Sequence, residues 1–462
     1  MKPIVALVGR PNVGKSTLFN RLTRTRDALV SDTPGVTRDR IYGTCAYGER
    51  DFLLVDTGGL ETEAEGGIEL LAAEQARQAI RDAELVVFLV DGRLGLHPED
   101  AAIAEELRRM QVPVLLVVNK SEDLEPTTVS AEFYALGLGA PLPVSAAANQ
   151  GMGRLVDLVE ERLPPAPEEE EELPGIRIAM VGRPNVGKST LVNALLGEPR
   201  MITYDRPGTT RDAIHTVLER DGQTYTLIDT AGVRRRSRIH ETLEKFSTLK
   251  AIQAMEAADV VFLLVDAQEG VTDQDARLAR LVRDAGRGVV LAVNKWDHLD
   301  DQQKKRLRRT LDLKLVTPLY YAPLRYISAL YGTGVGHLLE TAEAIYGSYT
   351  KELSTAELNR VLNEATEAHP PPVRGGFRPK LRYAHQGAKR PPTVVIHGSR
   401  PNTLPDNYLR YLERTFQKHF KLEGVPLRLQ FRKQESPYKG RARHKEAPKS
   451  VRKKKARKAR KG

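Results

Sequence analysis

The stretch Val8-Gly9-Arg10-Pro11-Asn12-Val13-Gly14-Lys15-Ser16-Thr17-Leu18 returns letter for letter as Val181-Gly182-Arg183-Pro184-Asn185-Val186-Gly187-Lys188-Ser189-Thr190-Leu191. Within each copy, Gly-x-x-x-x-Gly-Lys-Ser has the form of a phosphate-binding loop. Its glycines let the backbone turn sharply and aim successive N–H groups at phosphate oxygens. In that chemistry Lys15 and Lys188 reach the β- and γ-phosphates, and the Ser16 and Ser189 hydroxyls ligate Mg2+. One such match fixes only four positions and can arise by chance. Two eleven-residue identities, each after an apolar run (Ile4–Val8, Ile176–Val181) and before a helical pattern, cannot. The sequence predicts two nucleotide sites.

More of the repeat follows in register. Asp32-x-Pro-Gly-x-Thr37-Arg-Asp39 recurs as Asp205-x-Pro-Gly-x-Thr210-Arg-Asp212, and Asp56-Thr57-Gly58-Gly59 recurs as Asp229-Thr230-Ala231-Gly232, all at the offset of 173 that separates Gly9 from Gly182. The copies then drift: Asn119-Lys120 returns as Asn294-Lys295, and Ser145-Ala146 as Ser328-Ala329. A period this long is a duplicated domain, not a solenoid of short repeats.

Chemistry assigns the parts. Asp56 and Asp229 close apolar runs (Phe52–Val55, Tyr225–Ile228), which places them at strand ends beside the phosphates, there to hold Mg2+ through water. Gly59 and Gly232 offer a backbone N–H to the γ-phosphate. Thr37 and Thr210 lie in Pro/Gly-containing loops suited to closing on Mg2+ and γ-phosphate and relaxing after hydrolysis. Asn294-Lys295-Trp296-Asp297 follows the apolar run Val289–Val293. The Asp297 carboxylate accepts from guanine N1–H and the exocyclic amino group; adenine offers neither, and a site left with an unpaired carboxylate rejects it by up to ~10⁴-fold. Ser145-Ala146 and Ser328-Ala329 supply backbone donors to complete each base pocket.

The first copy departs from this pattern. It reads Asn119-Lys120-Ser121-Glu122, with Asp123 one position late. Either Glu122 spans the two guanine donors with an extra methylene, or a register shift brings in Asp123. A second departure concerns water. Small GTPases place a glutamine directly after Asp-x-x-Gly to orient the attacking water, whereas Leu60 and Val233 stand there here and cannot hydrogen-bond. Asn12 and Asn185 resemble the asparagine of GTPases that recruit K+ beside the phosphates in place of an arginine finger; the plainer reading is that they shape the loop. Slow intrinsic turnover is expected either way.

Taken together, the tandem loops, the run Asp229-Thr-Ala-Gly-Val-Arg234-Arg235-Arg236 and a basic C-terminal module resemble the Der (EngA) family of bacterial ribosome-assembly GTPases across nearly the full chain. The resemblance implies an α/β architecture of two Ras-like P-loop domains, a KH-like α+β domain and a role on the large ribosomal subunit and its rRNA. The expected divisions are 1–163 and 175–349 for the GTPase domains, 164–174 for an acidic Pro/Glu linker, 350–435 for the KH-like domain and 436–462 for a disordered basic tail.

Composition and charge bound the alternatives. The single cysteine, Cys45, excludes an intramolecular disulfide among 462 residues and suits a reducing cytoplasm. No apolar run approaches the ~18 residues of a membrane span, and Met1-Lys-Pro leads straight into an apolar strand, so neither leader nor membrane is expected. Net charge is +11, yet Tyr438–Gly462 alone holds thirteen Lys/Arg against one Glu, leaving the other 437 residues near −1. Such a segment buries no core and suits a polyanion, with RNA the favoured one and a merely solubilising tail the alternative. Pro164-Pro-Ala-Pro167 with Glu168–Glu172 is a stiff, self-repelling spacer, or a competitor for basic surfaces. Arg234, Arg235, Arg236 and Arg238 are either a solvated charge run or a basic surface that moves with the nucleotide.

In the C-terminal module, Ser354–His369 reads as a helix with a Ser354/Glu357 capping box, Val394–Ile396 and Leu427–Phe431 as strands, and Pro405–Phe420 as a helix with an apolar stripe at Tyr408, Leu409, Leu412, Phe416 and Phe420. A KH domain grips RNA through Gly-x-x-Gly, and His397-Gly-Ser-Arg-Pro-Asn-Thr lacks the second glycine. The module therefore either binds RNA through Arg374, Arg378, Lys380, Arg382, Lys389 and Arg390 or serves as a docking surface, with Phe377 and Tyr383 expected in its core. Of the function classes compared, a GTP-hydrolysing assembly factor without obligate oligomerisation fits best. A tRNA-modifying enzyme would resemble the chain in one GTPase domain only and carry a C-terminal cysteine. A scaffold needs no full Lys, Ser, Thr and Asp sets, and an ATPase or kinase conflicts with Asn294-Lys-x-Asp297.

Overall fold

The computed structural model describes residues 2–23, 41–45, 48, 50–57, 76–122, 125, 130–165, 173–197, 202–204, 215–228, 248–373, 377–399 and 403–433. The chain divides into two compact units, Met1–Thr350 with Leu422–Pro426, and Lys351–Lys421 with Leu427–Gly462.

The first unit holds both copies of the repeat. In the first copy, β1 (Ile4–Val8), β2 (Ile41–Cys45), β3 (Phe52–Asp56), β4 (Leu85–Asp91), β5 (Val114–Asn119) and β6 (Leu142–Pro143) form a sheet in the order β2-β3-β1-β4-β5-β6. Only β2 runs antiparallel to its neighbour. Every residue of β1, β3 and β4 is buried. That follows from strands covered on both faces, which read in sequence as unbroken apolar runs rather than alternations. Helices α1 (Lys15–Thr23), α2 (Pro98–Met110) and α3 (Met152–Arg162) belong to this copy. Because the strands are parallel, the phosphate-binding loop after β1 and the ends of β3, β4 and β5 meet at one edge, the crevice where open α/β sheets hold ligands.

The second copy repeats the plan. Strands β7 (Ile176–Val181), β8 (Ile202–Tyr204), β9 (Thr216–Arg220), β10 (Gln223–Ile228), β11 (Val260–Asp266), β12 (Gly288–Asn294) and β13 (Leu324–Tyr326) lie in the order β13-β12-β11-β7-β10-β9-β8. This is the first order with one more antiparallel edge strand, β8. Its helices are α4 (Lys188–Leu196), α5 (Thr248–Ala257), α6 (Asp273–Ala285), α7 (Asp301–Leu311) and α8 (Val335–Tyr349). Leu422–Pro426 adds to this copy: the Val289 N–H donates to the Gly424 carbonyl (2.7 Å), and the Gly424 N–H donates to Tyr321 (2.8 Å).

The second unit contains α9 (Thr355–Ala368), β14 (Lys380–Ala388), β15 (Thr393–Ser399), α10 (Asp406–Phe420) and β16 (Arg428–Lys433), with a sheet ordered β14-β15-β16. The two helices and the final two strands stand where the sequence placed them. Three details differ. Ser354 occupies the N-cap position but its side chain makes no capping bond, so the capping box with Glu357 does not form. Strand β14 was not anticipated, because Ala384 is its only fully buried residue and nothing else marks an apolar alternation. Phe377 and Tyr383, expected in the core, are 56% and 46% exposed. Among the described residues no helix is long and apolar enough to cross a membrane.

One buried pair ties the second sheet together at its base. The Arg177 guanidinium donates to Asp259 through Nη2 (2.7 Å) and Nε (2.9 Å), while the Asp259 N–H donates back to the Arg177 carbonyl (2.8 Å). Asp259 is almost wholly buried, so its charge depends on that contact. Arg177→Ala is expected to destabilise the second copy by about 2–3 kcal/mol, and the paired change Arg177→Met with Asp259→Leu by less. Denaturant unfolding followed by fluorescence of Trp296, the only tryptophan in the chain, measures both.

Candidate nucleotide sites

Each site is assembled from three straps on its phosphate-binding loop. The first comes from the asparagine that ends β5 or β12. Asn119 Nδ2 donates to the Val13 carbonyl (2.8 Å) and its Oδ1 accepts from the Ala146 N–H (3.0 Å). Asn294 repeats this with Val186 (2.8 Å) and Ala329 (2.9 Å). The asparagine therefore bridges the phosphate loop and the Ser-Ala loop, and in this chain the Ala146 and Ala329 amides, expected as donors to a base, are directed at it. Ser145 and Ser328 are buried beside them, each held by a backbone bridge to Gln150 or Thr333.

The second strap is the neighbouring lysine. Lys120 Nζ donates to the Asn12 carbonyl (2.8 Å) and to Asp91 Oδ2 (2.6 Å); Lys295 does the same with Asn185 (2.9 Å) and Asp266 (2.5 Å). Both lysines adopt left-handed backbone angles, φ 63° and 62°, which costs a non-glycine residue energy and is held in place by these contacts. Asn12 and Asn185 are left-handed too, at 66° and 61°. Asparagine tolerates that conformation better than most residues, which gives these two a loop-shaping role in the backbone itself.

The third strap was missed in the sequence. Arg10, inside the loop, pairs with Asp100 through Nε (2.7 Å) and Nη2 (3.0 Å), and Asp100 is fully buried. The Asp100 hydrogen bond raises the Arg10 pKa further above its ordinary value. Arg183 pairs likewise with Asp275 (2.9 Å) and also with Glu269 (2.7 Å). Asp100 and Asp275 are the third residues of α2 and α6 and close capping boxes with His97 and Thr272. The signal lay in those boxes, His97-x-x-Asp100 and Thr272-x-x-Asp275, standing at one offset in the two copies.

Within these straps the loop lysines point inward. Lys15 Nζ donates to the carbonyls of Gly9 (2.8 Å) and Arg10 (2.7 Å), and Lys188 Nζ to those of Gly182 (3.0 Å) and Arg183 (2.6 Å). Burial lowers the Lys15 pKa to about 8, against the opposing pull of Asp56. Ser16 Oγ donates to Asp56 Oδ2 (2.9 Å), so the hydroxyl and carboxylate read as the Mg2+ pair stand together. Hard oxygen donors of this kind fit that ion. Thr57 turns its hydroxyl to the Leu7 carbonyl (2.8 Å).

The base ends of the two sites differ. Ser121 bonds Val144 through its hydroxyl (2.7 Å), and Glu122 pairs with Arg93 (2.5 Å). In the second site Asp297 lies 3.2 Å from His298 Nε2. The Trp296 ring stacks on Tyr326 at 4.0 Å, with Arg308 over it at 5.5 Å. Pro11, Pro184 and Ser189 lie in the described loops, whereas Thr37, Gly58, Gly59, Leu60, Asp123, Thr210, Asp229, Thr230, Ala231, Gly232, Val233 and the Arg234–Arg238 run lie outside the described residues.

Comparison with known proteins converges with this geometry. A family model described as a 50S ribosome-binding GTPase matches residues 4–120 and again 177–295. A second, described as the C-terminal KH-domain-like region of EngA bacterial GTPase enzymes, matches 352–432. Among curated relatives, GTPase Der of Aromatoleum aromaticum is 55% identical over 441 residues, which is 95% of this chain and 100% of that protein. GTPase Der of Thioalkalivibrio sulfidiphilus is 54% identical over 443 residues, 95% of each chain.

The arginine straps generate a test. Asp100→Ala is expected to weaken nucleotide binding at the first site about tenfold without touching the ligand, because the loop loses its tether to α2. Asp275→Ala should do so at the second site alone. Calorimetric titration with GDP, which resolves the two sites by stoichiometry, provides the measurement.

Proposed function

We propose from one premise: the chain belongs to the GTPase Der family, and is a GTPase with two phosphate-binding loops. Both sites bind GTP with Mg2+ and hydrolyse it to GDP and phosphate, and the nucleotide state governs binding to the large ribosomal subunit and its rRNA. The observation that carries this reading is the duplication of all three straps, residue for residue, in the two copies. A site kept only as a structural relic has no need of identical lysine, asparagine and arginine contacts.

The roles follow from placement. Lys15 and Lys188 exchange their backbone carbonyls for β- and γ-phosphate oxygens. Ser16 and Ser189 hold Mg2+, joined by Thr37 and Thr210 when GTP orders their loops. The metal neutralises charge developing on the phosphates; the chain's own residues orient the nucleotide and exclude water. Asp297 selects guanine at the second site. Leu60 and Val233 cannot position water, so turnover is slow, and K+ beside Asn12 and Asn185 supplies part of the missing positive charge.

On the ribosome, the GTP-ordered loops fix which basic surface is available, and their release after hydrolysis lets the factor leave. The basic segment 438–462 supplies salt-dependent attraction to RNA. The protein acts in the cytoplasm and needs no second copy of itself.

Lys15→Ala and Lys188→Ala are each expected to abolish nucleotide binding or turnover at their own site only; full turnover per site in either variant would remove that assignment. Replacing Na+ by K+ should raise turnover, and no difference would leave Asn12 and Asn185 as loop-shaping residues. Co-sedimentation with isolated large subunits at fixed salt tests the ribosomal reading. Binding with a non-hydrolysable GTP analogue but not with GDP is expected, whereas equal binding in both states would reduce the protein to a basic RNA binder.

A further inference from the structure

The first site carries a glutamate where its copy carries an aspartate, and the surroundings of that glutamate differ in a matching way. Glu122 sits on the turn after Asn119-Lys120-Ser121. Arg93 Nη2 donates to its Oε1 at 2.5 Å. The other oxygen, Oε2, is buried and accepts no hydrogen bond among the described residues. The carboxyl is held below its ordinary pKa, first by the Ser145 hydroxyl and further by Arg93 and Lys120, so it is ionised at neutral pH.

Arg93 is itself fixed. Its backbone N–H donates to Asp91 Oδ1 (3.0 Å), and Asp91 Oδ2 accepts from Lys120 Nζ (2.6 Å). One carboxylate at the end of β4 thus sets the lysine that straps the phosphate loop and the turn that presents Arg93. In the second copy the corresponding run Asp266-Ala267-Gln268 replaces the arginine by glutamine, beside the shorter Asp297. The arginine is present where the carboxylate is long, and absent where it is short.

The physical reason is geometric. A glutamate has one more rotatable bond than an aspartate, so its carboxylate must be held to present two acceptors at fixed positions. A carboxylate oxygen has two lone pairs. Oε1 can therefore accept from Arg93 and from one guanine N–H at once, and Oε2 is left for the other. We propose that Glu122 is the guanine-selecting carboxylate of the first site and that Arg93 is a positioning residue that offsets its extra methylene. The proposal rests on the reading of the first copy as a guanine-nucleotide site, and it makes a register shift to Asp123 unnecessary.

The test uses the full chain and titrates GDP and xanthosine diphosphate by calorimetry. Xanthine carries a carbonyl where guanine carries the exocyclic amine, so a carboxamide suits it: the amide oxygen accepts from N1–H and the NH2 donates to the new carbonyl. Glu122→Gln is expected to lower GDP affinity at the first site by about 100-fold and create a xanthosine diphosphate site, while the second site keeps GDP. If Glu122→Gln leaves both GDP sites intact and Asp123→Asn makes the switch instead, Glu122 is not the selector although the site remains guanine-specific. If the unaltered chain takes up one GDP, or its first site binds ADP equally well, the underlying reading fails instead.

Arg93 is tested by a double-mutant cycle. Arg93→Ala should weaken GDP at the first site about tenfold in the Glu122 chain and scarcely at all in the Glu122→Asp chain, where the shorter carboxylate needs no prop. Equal losses in both backgrounds would show that Arg93 acts on the loop generally and not through Glu122. Unchanged thermal unfolding of each variant separates these results from misfolding.

Discussion

The hydrogen bond from an asparagine amide to the loop carbonyl three positions before its α-helix, Asn119 to Val13 and Asn294 to Val186, is the contact on which both sites depend. It dictates the glycine beside it. A Cβ built on Gly14 would lie 2.3 Å from Asn119 Nδ2, and one on Gly187 would lie 2.3 Å from Asn294 Nδ2; both glycines also stand at φ near +100°. No side chain fits there, whatever the chemistry of phosphate binding. The same amide reaches the Ser-Ala loop through its oxygen, so one buried side chain sets the distance between the phosphate end and the base end. The lysine and arginine straps then hold the loop from two further directions. A loop tethered in this way is formed before its ligand arrives, and binding free energy is not spent on ordering it.

Much of this was legible in the sequence, for a specific reason. The strands of both sheets are buried on two faces and announce themselves as apolar runs, so Ile4–Val8 and Ile176–Val181 coincide with β1 and β7. The loop and Asn-Lys motifs lie immediately after such runs, where parallel topology must bring them together. What was not legible is contact between residues distant in sequence with no pattern of their own. Arg10 meeting Asp100, and Lys120 meeting Asp91, depend on where a helix begins and a strand ends across the crevice. In the C-terminal module the signals were weaker. Strand β14 has one fully buried residue, and Tyr383 joins His385 and His397 in a row of rings with centroids 5.2–6.0 Å apart on a face that solvent partly reaches. Aromatic residues read as core from composition alone can equally line such a face.

The two copies also diverge in an ordered way. The offset grows from 173 to 175 between Asp56 and Asp91, and to 183 between Asn119 and Ser145. The second increase is taken up on the base side, where the second copy builds α7 and the first has only a short 3-10 turn, Glu132–Leu136. Helix α7 brings Arg308 and Lys304 over the Trp296 ring, which Tyr326 backs. The turn bearing Asp297 is therefore buttressed by aromatic packing, while the turn bearing Glu122 is buttressed by an ion pair. Phosphate geometry has been kept identical and base-side support has been rebuilt, which is the division expected when one end of a ligand is common to many nucleotides and the other carries specificity.

Charge follows the same economy. The cations nearest the sites are each matched at short range: Arg10 by Asp100, Lys120 by Asp91, Arg93 by Glu122, Arg183 by Asp275 and Lys295 by Asp266. Such pairs cancel at a distance greater than the ~8 Å over which physiological salt screens. With residues outside 438–462 summing to about −1 and that segment to +12, long-range attraction to a polyanion resides at the C-terminus and not around the nucleotides. Exchange of GTP for GDP then has little net field to alter by itself. Any control that the nucleotide exerts over an anionic partner has to act through which surfaces are presented, and the loops outside the three straps are the part of each site left free to do so.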